Sequence, residues 1–297
     1  MGRSVMIEVV ARPLAGSPGD YLDLIKYRTI PAHLFTTAAA MFLAAGGTPP
    51  AILLLVTLLG EGLAIASANT LNCLLDRDID SRMSRTLDRP LPAGRIGPRA
   101  ALIAAAFSGA AGLTILGVSV RPAVAVLALV GLLYYVLVYT FWLKRRTSWG
   151  PVACSPIGAV PPLIGWVAVT GAISPATFVL PAIVAAWSLP HFWSLAQFRR
   201  NEYGGAGLRI PAPRQARIAI AAGSSLLVAA SLIPAPAADL GPVYLGTASL
   251  LGAGLLHLNV HLFGRRTMRA ARRIYVYSIV YLAVLFGSMM LDRIVRI

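Results

Sequence analysis

Residues 122–142 read PAVAVLALVGLLYYVLVYTFW, a run without one charged side chain, with Arg121 on one flank and Lys144, Arg145 and Arg146 beyond the other. A helix of this length, at about 1.5 Å per residue, crosses the roughly 30 Å hydrocarbon core of a bilayer. Working outward, eight further apolar segments can be drawn at 29–46, 51–71, 100–119, 152–170, 175–197, 216–233, 242–263 and 273–291. The expected fold class is therefore all-α: a polytopic transmembrane bundle of about nine helices around a central cavity open to the cytoplasmic side. Residues 1–28 read as a cytoplasmic N-terminal segment and 29–297 as one transmembrane domain. The segment 152–170 is expected to be short or kinked, because Pro156, Pro161 and Pro162 interrupt its start.

Composition supports a lipid-embedded chain. Only 12% of the 297 residues are charged, against 57% hydrophobic, and the mean hydropathy is +0.73. A soluble domain carries roughly twice that charge fraction. The net charge of +15 would point to nucleic acid in a soluble protein. Here the basic residues alternate with apolar runs, so they report orientation and contact with membrane lipid, and no nucleic-acid partner is expected. One set of loops receives Lys26 and Arg28, Arg77 to Arg99, Lys144 to Arg146, Arg199 to Arg217, and Arg265, Arg266, Arg269, Arg272 and Arg273. The other side has short turns with Arg121 as its one internal basic residue, while Arg293 and Arg296 run against the pattern. The expectation is a multi-pass cell-membrane protein with its N-terminus in the cytoplasm and its C-terminus outside. The first 25 residues do not read as a signal peptide, since Glu8, Pro13, Gly16 and Asp20 replace an apolar core. Cys73 and Cys154 lack metal-ligand spacing.

The second apolar run leads into Asn72-Cys73-Leu74-Leu75-Asp76-Arg77-Asp78-Ile79-Asp80. If the helix continues, Asn72, Asp76 and Asp80 fall on one face at i, i+4 and i+8. Two carboxylates one turn apart need a cation between them, and hard oxygen ligands of this kind suit Mg²⁺ completed by substrate phosphates. Asn69 can support the same face, whereas Asp78 points elsewhere, toward an Arg. On spacing alone, an acidic helix end with solvated charges is as good a reading. The following loop carries Arg85, Arg89 and Arg95 between Pro90, Pro92 and Gly94. Stiff backbone and guanidinium forks suit phosphate oxygens. Lys144, Arg145 and Arg146 either add to that field or simply anchor a helix end.

Other polar residues are less specific. Glu61, between Gly60 and Gly62, lies almost in phase with the acidic face, and a structural hydrogen bond is at least as good a reading as catalysis. Further along, Gln197 and Asn201 share a face and Glu202 adds an oxygen, a second metal half-site. Pro190 should bend the chain where His191 and Trp193 appear; the aromatics there either shield a cation or form an interfacial belt. His257 and His261 are an i,i+4 pair for which an internal polar contact is the better reading than contact with a ligand.

At this point the sequence resembles the UbiA superfamily over nearly the whole chain after residue 20, and within it the protoheme IX farnesyltransferase branch. Besides the aspartate-rich stretch, the resemblance rests on Arg85-Thr86, Arg89-Pro90-Leu91-Pro92-Ala93-Gly94-Arg95, Tyr139 to Thr147, Gly158 to Trp166, and Pro190-His191-Phe192-Trp193 with Leu195-Ala196. Two departures stand out. Asn201-Glu202-Tyr203 replaces a pair of acids before the tyrosine, and Lys26-Tyr27-Arg28 replaces Lys-Pro-Arg. The resemblance implies an enzyme that moves a farnesyl group from farnesyl diphosphate to a vinyl group of protoheme IX. In that account Asp76 and Asp80, aided by Asn72 and opposed by Asn201 and Glu202, hold Mg²⁺ against the diphosphate. Arg85, Arg89, Lys144 and Arg145 neutralise the leaving group, and His191 joins the catalytic candidates. It further implies delivery of the product to a heme A synthase or to terminal oxidase assembly. The alternatives are a sister prenyltransferase acting on an aromatic quinone precursor, and a transporter-like bundle using its acids for ion coupling.

Overall fold

The computed structural model describes residues 16–232, 240–263 and 267–295. Glu8, Pro13, Arg265, Arg266 and Arg296, read above for leader and orientation, lie outside them. No strand occurs among the described residues. The apolar helices are Ile30–Ala45, Ala51–Leu75, Pro98–Val120, Pro122–Arg146, Gly150–Thr170, Pro175–Phe198, Pro213–Leu232, Pro242–Phe263 and Thr267–Val295. All but the first are long and apolar enough to cross a membrane; Ile30–Ala45 has 16 residues, about 24 Å of rise. Local chemistry sets the ends. Pro98, Pro122 and Pro242 sit in first turns, where a missing N–H costs nothing. Gly46 and Gly171 close helices in the left-handed region, at φ +65° and +71°.

Lipid gives helices little hydrophobic reason to associate, so close backbone approach matters more. The Ala51–Leu75 and Pro98–Val120 helices meet on small residues. A Cβ on Gly112 would stand 2.6 Å from the Gly60 carbonyl oxygen, and one on Gly109 2.7 Å from Ser67 Oγ. Ser67 Oγ donates to the Ala105 carbonyl at 2.8 Å across the same seam.

Of the two forms expected for the proline-bearing segment, the short helix is not the one found. Gly150–Thr170 is a continuous 21-residue helix with Pro156, Pro161 and Pro162 inside it. Buried membrane helices tolerate proline when neighbours satisfy the disturbed backbone. Thr37 Oγ1 donates to the Pro161 carbonyl at 3.0 Å, which ties this helix to Ile30–Ala45, and Gly165 brings the two so close that a Cβ would lie 2.3 Å from the Thr37 carbonyl oxygen. Pro190 likewise lies within a helix that continues to Phe198.

Within Pro122–Arg146, residues Tyr134–Leu143 are wound as a wider π-helix, and Thr140 Oγ1 donates five residues back to the Tyr135 carbonyl at 2.8 Å. Irregular winding of this kind often marks functional positions.

The polar insertions fold over one end of the bundle. Leu91 and Ile96 pack with Leu24, Cys73 and Ala101, which seats the Pro18–Leu24 helix on that end. Ile79 and Met83 pack with Tyr203, Ala206 and Leu208, joining the loop after Asp80 to the one after Phe198.

Candidate active site

The site starts where the Ala51–Leu75 helix stops. Asp76 leaves helical geometry at φ −92°, ψ 6°, and the short helix Arg77–Asp80 follows. The one-turn spacing nevertheless survives, because Asp76 N–H donates to the Asn72 carbonyl at 2.9 Å and Asp80 N–H to the Asp76 carbonyl at 2.8 Å. All three side chains are buried: Asn72 is 3% exposed, Asp76 1% and Asp80 2%. The alternative of a solvated acidic helix end is thereby excluded.

Each group has defined partners. Asn72 Nδ2 donates to Asp76 Oδ2 and to Thr140 Oγ1, both at 2.9 Å, which leaves its oxygen to accept from the Lys26 ammonium. Three contacts thus fix the amide orientation. Lys144 Nζ also donates to Asp76 Oδ2. That oxygen is fully engaged, whereas Asp76 Oδ1 is buried without a hydrogen-bond partner. Asp80 accepts from Arg89 Nη1 at 2.8 Å, and its carbonyl accepts from Thr86 Oγ1 at 2.9 Å. Burial disfavours the charged form of Lys26 and pushes its amine down from the usual lysine value.

Asp78 diverges from this face, as its spacing predicts, and binds both terminal nitrogens of Arg145, at 2.8 and 2.6 Å. That contact first, and the Arg145 charge with it, hold the Asp78 carboxyl below its ordinary 3.8. Arg145 also donates to the Leu75 carbonyl at 2.6 Å, so it braces the helix end. Arg95 is committed to Asp20 at 2.6 Å and to the Asp88 carbonyl at 2.7 Å. Asn69 donates to the Ile25 carbonyl at 2.8 Å and holds the entering segment, off the acidic face.

The second half-site is looser. Glu202 accepts from Arg199 Nη1 at 3.2 Å and lies 3.8 Å from Arg85 Nε, which ties the two insertions together. Asn201 is exposed, and Gln197 is buried beside Arg200 Nη1 at 3.4 Å. His191 is apart from the carboxylates in partners: its Nδ1 lies 2.8 Å from Ser278 Oγ, and its ring stacks on Trp187 at 4.3 Å and tilts against Tyr275 at 4.7 Å. His257 and His261 correct their reading as internal contacts. Their helix buries Tyr244, Ala248, Gly252, Leu255 and Asn259, and the two imidazoles fall off that stripe and stand exposed, 5.3 Å apart. Glu61 is interior, 1% exposed, away from the Asn72, Asp76 and Asp80 contacts.

The sequence reading missed Lys26 and Thr140 as partners of Asn72. A partial signal existed, since Thr140 and Lys144 are four residues apart.

Among the described residues no three His, Cys, Asp or Glu side chains converge, so there is no all-protein metal cage. The candidate donors are hard oxygens, two of which, Asp76 Oδ1 and Glu202 Oε1, are buried with no hydrogen-bond partner among the described residues, and this fits Mg²⁺, which normally takes one or two carboxylates and completes its shell with water and phosphate.

The model of the UbiA prenyltransferase family matches residues 33–286. A protoheme IX farnesyltransferase of Symbiobacterium thermophilum is 42% identical, over 92% of this chain and 93% of its own. One from a Roseiflexus species is 38% identical over 96% of this chain, which spans 56% of that longer protein. Among solved structures, a digeranylgeranylglyceryl phosphate synthase superposes with a TM-score of 0.77 at 16% identity, over 93% of this chain and 98% of that one. A UbiA homologue from Archaeoglobus fulgidus bound to DMAPP and Mg²⁺ gives 0.62 at 18%, over 91% and 99%. The chain belongs to the UbiA prenyltransferase family, and among relatives of this similarity it is a multi-pass membrane enzyme of prenyl transfer.

Proposed function

We propose that the chain transfers the farnesyl group of farnesyl diphosphate to a vinyl group of protoheme IX, giving heme O and diphosphate. The observation that carries this reading is the buried face of Asn72, Asp76 and Asp80, with one free carboxylate oxygen and a cation against each acid. Relatives named for this reaction support the acceptor.

Asp76 and Asp80, steadied by Asn72, are the residues that would hold Mg²⁺ on one side, with Glu202 and Asn201 on the other. The ion would supply charge neutralisation to the departing diphosphate. Lys144 and Arg89 each clamp a carboxylate and can pass to phosphate oxygens when the diphosphate enters, with Lys26, Arg85 and Arg145 completing the positive surround. The farnesyl C1–O bond breaks with its electron pair on oxygen. The vinyl π electrons then capture the allylic cation, water adds to the new cation beside the porphyrin, and that water gives up a proton. Burial makes such electrostatic help worth more than in water. Trp187, His191 and Tyr275 form an aromatic panel suited to sheltering a cation or a flat ring, with His191 oriented by Ser278. On this reading the end of the bundle that carries the positive loops faces the cytoplasm and the C-terminus lies outside, and a product this apolar would leave through the membrane to a heme A synthase or oxidase assembly.

The test incubates purified protein with Mg²⁺, protoheme IX and farnesyl diphosphate, with heme mass spectrometry as the readout and Asp76→Ala as control. Farnesylated heme from the unchanged protein alone is expected. Prenylation of a quinone precursor with no heme product would move the chain to the sister reaction.

A further inference from the structure

Away from the carboxylates, the outer surface carries a second charged feature. Between Tyr203 and Leu291 the sequence holds eight arginines and one acid, Asp239, which lies outside the described residues. Three of these arginines, Arg269, Arg272 and Arg273, are exposed on the first turns of the Thr267–Val295 helix. None has an acidic partner among the described residues.

They open onto a groove between this helix and Pro242–Phe263, of about 640 Å³, lined below them by Leu258, Val276, Tyr277 and Val280. Helical spacing orders the wall in two rows, Arg269 with Arg273 and Tyr277, and Arg272 with Val276 and Val280. Each row therefore runs from charge to hydrocarbon surface along the helix axis. The depth of the groove depends on Gly254. A Cβ there would stand 2.3 Å from the Tyr277 hydroxyl, which donates to the Leu251 carbonyl at 2.9 Å. The phenol is thus tucked against the neighbouring helix with its polar atom already used, and the groove below the arginines is left apolar. On the adjoining helix end, Arg217 lies 5.9 Å over the Phe263 ring with its Nε buried and unpartnered.

We propose that this groove is a binding site for an anionic phospholipid, its phosphate held by Arg269, Arg272 and Arg273 and one acyl chain lying along Leu258, Val276 and Val280. Charge complementarity selects the headgroup, since three guanidinium groups without a carboxylate at the entrance to a membrane helix require an anion. The continuous change from basic to apolar along both rows selects an amphiphile over a free anion. The site faces the bilayer and is separate from the carboxylate cluster, so the lipid is a bound component of the enzyme and not its substrate.

Native mass spectrometry of the purified full chain, loaded with equal phosphatidylglycerol and phosphatidylcholine, reads the site directly. We expect phosphatidylglycerol to be retained at least about tenfold over phosphatidylcholine, given that one basic residue near an anionic surface is worth about fivefold. The triple change Arg269→Gln, Arg272→Gln, Arg273→Gln abolishes that preference. Leu258→Trp, which fills the groove and keeps every arginine, also removes the bound lipid. Equal retention of the two lipids by the unchanged protein overturns the proposal, as does a preference that survives Leu258→Trp, which would mark diffuse surface charge. Displacement of phosphatidylglycerol by an equal amount of protoheme IX or of farnesyl diphosphate overturns it too, and gives the groove to a substrate.

Discussion

The two polar insertions cover the same end of the bundle but are built to different standards. After the Ala51–Leu75 helix, Asp76 and Asp80 are almost wholly buried, each is bonded to a cation, and Asn72 is fixed by three partners. After Phe198, Asn201 is exposed and Glu202 rests on two arginines at 3.2 and 3.8 Å. A buried carboxylate without a partner is costly, so the first cluster must be satisfied before any ligand arrives. Glu202 also has a buried oxygen, Oε1, with no hydrogen-bond partner among the described residues, but its cations stand farther off. In the proposed reaction the first half is thus preassembled and the second is completed by what it binds.

Lys144→Met should separate the halves most sharply. It leaves Asp76 with the Asn72 amide but without its cation, so we expect loss of product formation by about 10²-fold or more, from removal of a single electrostatic contact to the leaving group. Stability should also fall by about 2–3 kcal/mol, below the full cost of a buried orphan because Lys144 is partly exposed. The double change Asp76→Asn, Lys144→Met should restore thermal stability without restoring turnover. Recovery of both together would mean that Asp76 is there for the fold and not for diphosphate. On the looser half, Asn201→Asp adds a charge where there is room for one. Turnover at limiting Mg²⁺ should rise by roughly fivefold, on the scale of one exposed ion pair. A titration unchanged by that substitution would remove residue 201 from the metal account. The smallest effect belongs to Arg145→Gln. Its partner Asp78 is half exposed, so we expect a stability change within about 1 kcal/mol and a rate within about threefold. The sign with pH is fixed. Arg145 depresses the Asp78 carboxyl, so the pair stabilises above pH 3.8 and its contribution fades as pH falls through the lower folded value. Acid melts of the two proteins should therefore converge at the bottom of that range.

Much of this was legible in the sequence, for physical reasons. Uncharged runs of about twenty residues have one stable form in lipid, and the i, i+4 spacing of Asn72, Asp76 and Asp80 survives even a break in the helix at Asp76. Partner choice was not legible. Arg89 and Arg95 look alike in the loop, yet one meets Asp80 and the other Asp20, because the Pro18–Leu24 helix is seated beside the second. Lys26 reaches Asn72 from 46 residues away, a contact that no local pattern encodes. The three prolines of 152–170 did not shorten their segment: Gly150–Thr170 is one helix, held to Ile30–Ala45 by the Thr37 and Gly165 contacts, partners more than a hundred residues apart in sequence.

The wide winding of Tyr134–Leu143 makes this enzyme unusually sensitive to chain length at one place. Lys144 and Arg145 are consecutive, yet they serve Asp76 and Asp78 respectively. One residue deleted upstream would turn the helix end by roughly 100° and bring Arg145 toward Asp76; one inserted would present Leu143 there instead. Between Tyr134 and Leu143 the pairing of Lys144 with Asp76 therefore rests on a count of residues, and an insertion or deletion there is expected to uncouple the two.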